Sequence, residues 1–376
     1  MKILFNCLTM EKGGAERVIS LLANEFSKEN DVCVLTLKKS KDAYVLSPAI
    51  KRLTVDKTDY KKDGTIRNVL RKLSLTRLIR QRKKIVTEKP DIIISFLPEP
   101  SLRLMMIKKY SRRIREIPTV VSIRNDPERE FDNLLLRNIM RQLYKSVDGM
   151  VFQTEDAKKY FEDIVTTKNK TIIQNPIDNS IFIKPISDSQ RKNVIINVGR
   201  LEPQKNQELL IRAFYDVLEN NECDYVLEIY GEGSERKKLQ SMIDGLGMRD
   251  RIVLKGQVDD IAGRLNNSKI FVLSSIYEGM PNALMEAMAM GLPCISTDCP
   301  CGGPRSLINN NINGILIKNN SQESLGKAMQ YLISNKDIRV KLSKNAVAIR
   351  KTNSIDENAV LWYKMIRNVL GVKNNE

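Results

Sequence analysis

Short runs of continuously apolar residues recur along the chain, separated by longer stretches whose apolar residues fall at helical spacing. In the first half, residues 3–8, 32–37, 92–96, 119–123 and 149–153 form such runs. A strand wet on one face alternates apolar and polar residues, so runs without alternation predict a parallel sheet covered on both faces. In the second half the candidate strands are 194–198, 225–230, 252–254, 270–274, 294–297 and 314–317, with helical stretches such as 206–218, 235–246 and 322–332 between them. Strand and helix in alternation predict a doubly wound α/β architecture, here twice over. Both patterns break near residues 174–185, where Pro176 and Pro185 stand among Asn and Asp residues that favour turns. The expected domains are therefore 1–175 and 176–354, and 376 residues suit two cores better than one. Domains of this kind bind ligands at the C-terminal ends of their strands, in a cleft between them. No repeat of 20–50 residues and no low-complexity tract interrupts the pattern.

Composition narrows the chemistry. Hydrophobic residues make up 42% and charged residues 28%, ordinary values for a soluble globular protein. No run of 18 apolar residues provides a membrane span, and the first ten residues lack the length and cleavage site of a signal peptide. The six cysteines (Cys7, Cys33, Cys223, Cys294, Cys299 and Cys301) read as reduced thiols of a cytoplasmic protein. Cys294, Cys299 and Cys301 lie close together but lack a fourth ligand, so buried small residues are favoured over a metal cage. The chain contains no histidine, which rules out a Ser-His-Asp triad, a histidine base and histidine metal ligands. Neither a metal nor an organic cofactor is expected.

The net charge of +17 is uneven: residues 1–175 carry 36 Lys/Arg against 22 Asp/Glu, and the remainder 26 against 23. The front half thus has a balance of +14 and the rest +3, which points the front half toward an anionic partner. Residues 66–84 hold eight Lys/Arg and no acid, with Ile66, Val69, Leu70 and Leu73 on one helical stripe. Such a segment reads either as an interfacial helix drawn to anionic lipid or as a core helix with a solvated basic face. Residues 102–115 pose the same choice, and there the core reading is favoured. Nucleic acid is not expected as a partner, because aromatic content is only 6%, aromatics are not interleaved with the cations, and no reader motif is present.

Three segments carry candidate chemistry. Gly13-Gly14-Ala-Glu-Arg17 follows the first strand and opens a helix, either as a tight turn or as an approach for an anion to backbone amides. In 199–205, Arg200 and Lys205 stand in a loop at a strand C-terminus, either as a solvated pair or as two cations able to neutralise a diphosphate without Mg²⁺. In Glu278-Gly-Met-Pro-Asn-Ala-Leu-Met-Glu286, Pro281 starts a helix, so Glu278 falls in the loop and Glu286 about one turn inside. Two spaced carboxylates can grip the hydroxyls of two different rings, and the helix N-terminus between them favours a phosphate.

Taken together these segments resemble the family-4 glycosyltransferases of the GT-B fold. The matching text is Gly-Gly-Ala-Glu-Arg-Val at 13–18, Asn-Pro-Ile-Asp-(x3)-Phe at 175–182, Val-Gly-Arg-Leu-(x3)-Lys-Asn at 198–206, Ile-Tyr-Gly-Glu-Gly at 229–233, the Glu pair at 278 and 286, and Gly-Leu-Pro-Cys-Ile-Ser-Thr-Asp at 291–298. The pieces recur in family order over residues 1 to about 320, and the second half resembles bacterial polysaccharide-assembly members. The resemblance implies a fold of two Rossmann-like domains facing a cleft, with residues 355–376 returning to the first domain. It implies that Arg200 and Lys205 bind the donor diphosphate, that Glu286 holds the ribose, that Glu278 faces the donor sugar beside the amides of Gly279 and Met280, that backbone at Val258 meets the base, and that Gly13 and Gly14 close over the phosphate.

The implied activity is transfer of a hexosyl or N-acetylhexosaminyl unit from a nucleotide diphosphate, with uridine as the family's usual base, to a polyprenyl-diphosphate-linked or glycan acceptor. Retention of anomeric configuration and independence of metal are part of the same implication. A cytoplasmic enzyme docked on the anionic inner face of the plasma membrane is expected from the +14 balance of residues 1–175 together with the acid-free segment 66–84. Two departures stand out. Where many relatives carry a histidine, this chain reads Ser122-Ile-Arg-Asn-Asp-Pro127, so Arg124, Asn125 and Asp126 become the acceptor-side candidates. Ser306 stands where relatives often have Glu. Rival readings on the same architecture are a sugar-nucleotide epimerase and a phosphorylase.

Overall fold

The computed structural model describes residues 1–56, 75–220 and 223–372. They form two compact units, one from Met1–Pro176 with the segment that starts at Ile355, the other Ile177–Ser354. The first unit is built on β1 (Lys2–Cys7), β2 (Asp31–Lys38), β3 (Lys51–Asp56), β4 (Ile92–Phe96), β5 (Thr119–Ser122), β6 (Gly149–Phe152) and β7 (Lys170–Ile172). They pair in parallel in the order β3-β2-β1-β4-β5-β6-β7. The second unit has β8 (Lys192–Val198), β9 (Val226–Tyr230), β10 (Ile252–Gly256), β11 (Ser268–Leu273), β12 (Cys294–Asp298) and β13 (Ile315–Lys318), again parallel, in the order β10-β9-β8-β11-β12-β13. Both are Rossmann-like α/β sheets, as the apolar runs require.

Every strand expected from a continuous apolar run is present. The two that the pattern missed, β3 and β7, lie at the sheet edges. Their sequences, KRLTVD and KTI, are mostly half-buried, so nothing forces them to be apolar throughout.

In the first unit the helices Gly14–Phe26 and Ile355–Leu370 cover one face of the sheet. Phe26 and Tyr363 bring their rings to 4.6 Å, and the fully buried Trp362 stacks on Phe96 at 5.9 Å. The helices Leu75–Glu88 and Pro98–Tyr110 cover the other face, through Ile85, Leu104 and Ile107 against Leu4, Leu35 and Ile93.

In residues 102–115 the apolar stripe is core, while Lys109, Tyr110, Arg112, Arg113 and Arg115 are exposed. Leu102, Leu104, Met105 and Ile107 are buried, and so are Arg103 and Lys108. Lys108 donates to the Ile117 carbonyl at 2.8 Å and pairs with Asp148, so its charge is satisfied inside the unit. Of the basic stretch 66–84, residues 66–74 lie outside the described residues. The rest opens the helix Leu75–Glu88, where Gln81 and Ile85 face inward and Leu75, Ile79, Arg80 and Lys83 are exposed. Among the described residues no helix is long and apolar enough to cross a membrane.

Candidate active site

In the second unit the chain runs outward in both directions from β8 and β11, which are neighbours in the sheet but not in the sequence. Loops leaving such a switch point diverge and leave a crevice at the strand C-termini. The loop after β8 carries Arg200 and Lys205, and the loop after β11 carries Glu278. The topology therefore brings together residues that the sequence holds 73 positions apart.

The contact is an ion pair between Lys205 Nζ and Glu278 Oε1. Glu278 is 5% exposed, and a carboxylate that deep in the protein needs such a partner. Ser275 Oγ donates to the same oxygen at 2.6 Å. The two loops are stitched along their length. Ile276 N donates to the Gln204 carbonyl at 2.8 Å, Gln204 Nε2 to the Tyr277 carbonyl at 2.9 Å, and Ser274 Oγ to the Lys205 carbonyl at 2.9 Å. Arg200 is exposed and leans on Gln204, with Nη2 at 3.4 Å from Oε1. One cation is thus held at the base of the loop and a second stands free to meet an anion arriving from solvent.

The Gly-Glu-Gly run after β9 supports this loop by close approach. Gly231 has φ +141°, and a Cβ there would lie 1.9 Å from the Gly199 carbonyl oxygen. Only glycine lets Gly199 N reach the Tyr230 carbonyl at 3.0 Å and Leu201 N reach the Glu232 carbonyl at 3.0 Å.

Glu278 is fixed on its backbone as well. Its N–H donates to the Pro300 carbonyl at 2.6 Å and its carbonyl accepts from Cys301 N at 3.1 Å, so the turn after β12 lies along it. Gly303 makes room for this turn, since a Cβ there would meet the Gly279 carbonyl oxygen at 2.0 Å. Ser306 Oγ donates to the Gly303 carbonyl at 2.7 Å, which gives the serine at this position a local role in the turn. The amide of Gly279 meets no acceptor among the described residues. The helix Asn282–Ala289 begins just beyond, with Pro281 as the residue before its first turn rather than inside it. Glu286 lies one turn into that helix and is 6% exposed. Val258 follows β10 and packs half-buried against the same core as Met280 and Leu284. Cys294, Cys299 and Cys301 are buried free thiols, and burial pushes Cys299 up to about 12.

In the first unit Gly13 is extended and immediately precedes the helix Gly14–Phe26, with its carbonyl accepting from Tyr44 Oη at 3.0 Å. Arg124, beyond β5, is buried. Its Nη2 donates to Asn175 Oδ1 at 2.6 Å, its guanidinium lies 5.4 Å over the Phe96 ring, and burial pushes it down to about 9. Asp126 is buried and accepts from Glu128 N at 3.0 Å, capping the short helix Pro127–Glu130; burial raises its carboxyl above the usual range. Asn125 between them is half-buried.

Sequence reasoning missed Ser275, Gln204 and Thr297. The signal available was a pair of serines between an apolar strand and the first glutamate of the pair, too short to stand out alone.

Two family models match the chain nearly end to end, "Glycosyltransferase Family 4" over residues 12–180 and "Glycosyl transferases group 1" over residues 179–348. The chain belongs to the family-4 glycosyltransferases. This glycosyltransferase is 25% identical over 369 residues, 98% of its length and 99% of the relative's, to a Campylobacter jejuni enzyme described as GalNAc-alpha-(1->4)-GalNAc-alpha-(1->3)-diNAcBac-PP-undecaprenol alpha-1,4-N-acetyl-D-galactosaminyltransferase. It is 33% identical over 187 residues, 46% of its length and 48% of the relative's, to an Escherichia coli UDP-Gal:alpha-D-GlcNAc-diphosphoundecaprenol alpha-1,3-galactosyltransferase. Among solved structures, Anabaena HepE in complex with UDP superposes with a TM-score of 0.80 at 17% identity, over 98% of this chain and all of that one. The likeness places the fold among GT-B glycosyltransferases.

Proposed function

We propose that this glycosyltransferase moves a hexose or N-acetylhexosamine from a UDP-sugar onto a polyprenyl-diphosphate-linked glycan, with retention and without a metal ion. The observation that carries the reading is the pairing of Lys205 with Glu278 beside Arg200 at the switch point of the second sheet. A diphosphate at this edge would meet two cations, which can stabilise it as a leaving group in the place a divalent ion takes elsewhere. Glu286 is assigned to the ribose, Glu278 to the donor sugar together with the Gly279 and Met280 amides, and the Val258 backbone to the base. Gly13 and Gly14 are assigned to the phosphate, and Arg124, Asn125 and Asp126 to the acceptor side.

The chain has no histidine to act as base, so the reaction rests on positioning and on charge stabilisation. The acceptor oxygen bonds to the anomeric carbon on the face that the diphosphate leaves. The carbon–oxygen bond to the diphosphate breaks, and its departing oxygen takes the acceptor proton. The undecaprenyl-diphosphate acceptors and alpha linkages in the names of the Campylobacter and Escherichia relatives support this choice of acceptor and stereochemistry, and the UDP in the Anabaena structure supports the donor.

The enzyme would work in the cytoplasm, held on the anionic inner face of the plasma membrane by its basic first half. The test is a thermal-shift screen of nucleotide sugars, followed by transfer to polyprenyl-diphosphate glycans and proton NMR of the new linkage. Stabilisation by UDP-sugars with an α-linked product is expected. A screen in which only other nucleotides stabilise, or a β-linked product, would overturn it. Interconversion of the sugar without an acceptor would instead favour an epimerase.

A further inference from the structure

We propose that Ser275 is a positioning residue for Glu278, keeping that carboxylate in place while Lys205 engages the donor diphosphate. The inference rests on the donor reading above. Ser275 is fully buried, and its hydroxyl donates at 2.6 Å to Oε1 of Glu278, the oxygen that also meets Lys205. A hydroxyl bonded to a carboxylate at this length is a strong charge-assisted bond. Oε2 takes no hydrogen bond from a described residue, which leaves it for a sugar hydroxyl.

Ser275 is anchored in turn, because its carbonyl accepts from Thr297 Oγ1 at 2.6 Å, and Thr297 is fully buried on β12. The preceding serine serves the other partner, with Ser274 Oγ holding the Lys205 backbone at 2.9 Å. Two consecutive side chains at the end of β11 thus secure the two members of the ion pair separately. A diphosphate that draws the Lys205 ammonium away takes one of the two donors from Oε1. The other stays, because Ser275 and Glu278 belong to one short loop whose backbone is fixed at Ile276, Tyr277 and Glu278. Ser275 therefore acts on the reacting end of the donor only through Glu278 and makes no contribution to nucleotide binding.

The experiment compares Ser275→Ala with the parent in two backgrounds. Turnover is read as UDP release from UDP-galactose and UDP-N-acetylgalactosamine, and UDP affinity by calorimetry. Turnover at saturating donor is expected to fall at least tenfold on Ser275→Ala, with the Kd for UDP within twofold of the parent. In a Glu278→Gln background the same change should alter turnover less than twofold. Equal losses in the two backgrounds, or a loss of UDP affinity that matches the loss of turnover, would overturn the proposal. Should Ser275→Ala fail to fold, Ser275→Cys fills the same space with a weaker donor and takes the same tests. Failure of the parent to bind UDP refutes the donor reading by itself. Ser275 is then judged by melting alone: Ser275→Ala should lower the Tm of the parent more than that of Glu278→Gln, and equal lowering counts against it.

Discussion

Lys205 and Glu278 stand 73 residues apart in sequence and form one ion pair across the switch point of the second sheet. Any anion that uses the Lys205 ammonium must compete with the Glu278 carboxylate for it. Removing that competitor by Glu278→Gln should tighten UDP binding by roughly three- to tenfold while turnover falls. Glu286→Gln should do the reverse, weakening UDP binding with little change in turnover at saturation, because a ribose contact is uniform binding. Calorimetry with UDP beside steady-state kinetics decides it, and weaker UDP binding by Glu278→Gln would refute the competition.

Arg200→Ala and Lys205→Ala should each weaken UDP binding by about tenfold or more, since a charge-assisted bond is worth about 1.5–3 kcal/mol. Lys205→Ala should be the more harmful to turnover, because it also strips Glu278 of its cation. Activity should survive excess chelator. Abolition by chelator and recovery with a divalent ion would refute catalysis by these two cations alone.

Glu130 gives a pH-dependence of stability. Its Oε2 atom is sealed from water without a hydrogen-bond partner, and burial, with the nearby charge of Asp126, pushes the carboxyl up from 4.5 to about 8. The folded chain then holds a proton there that the unfolded chain releases. Stability from this group is present below about pH 4.5 and is lost as pH rises toward about 8. Thermal melts from pH 5 to 8.5 should show Tm falling by several degrees more in the parent than in Glu130→Gln. Parallel pH profiles for the two proteins would refute it.

Membrane docking should depend on the basic segment 66–84. Each Lys or Arg near an anionic surface contributes about 1 kcal/mol, so replacing Arg67, Arg71, Lys72, Arg80 and Lys83 with Gln should abolish sedimentation with anionic liposomes. Binding by the parent should fall with added salt, because the attraction is screened within about 10 Å. Equal binding to neutral vesicles would show that the basic face is merely solvated.

Much of the fold was legible because buried parallel strands are largely apolar without alternation, as in Ile92–Phe96, where Ser95 alone is polar. The helix Ile355–Leu370 was legible only through the family resemblance, which has the last segment return to the first unit. What escaped was set by tertiary position. β3 and β7 are edge strands, and the burial of Arg103 and Lys108 depends on partners far along the chain, such as Asp148. In the site, Glu278 and Lys205 could be named from their motifs, but their contact follows from strand order. Ser275 carries no motif of its own, and only its bond to Glu278 marks it.

The helix Ile355–Leu370 has a consequence for how the protein is made. It is synthesised after the whole of Ile177–Ser354, yet it supplies Trp362 and Tyr363 to the core that Met1–Pro176 begins. On the ribosome the first sheet emerges early but waits with one apolar face open, while the second unit can close as soon as its own strands are out. The first unit can thus be completed only after the second has been synthesised. A chain stalled or cut before residue 355 would leave Phe26 and Phe96 without their cover, a substrate for chaperones and proteases rather than for sugar transfer.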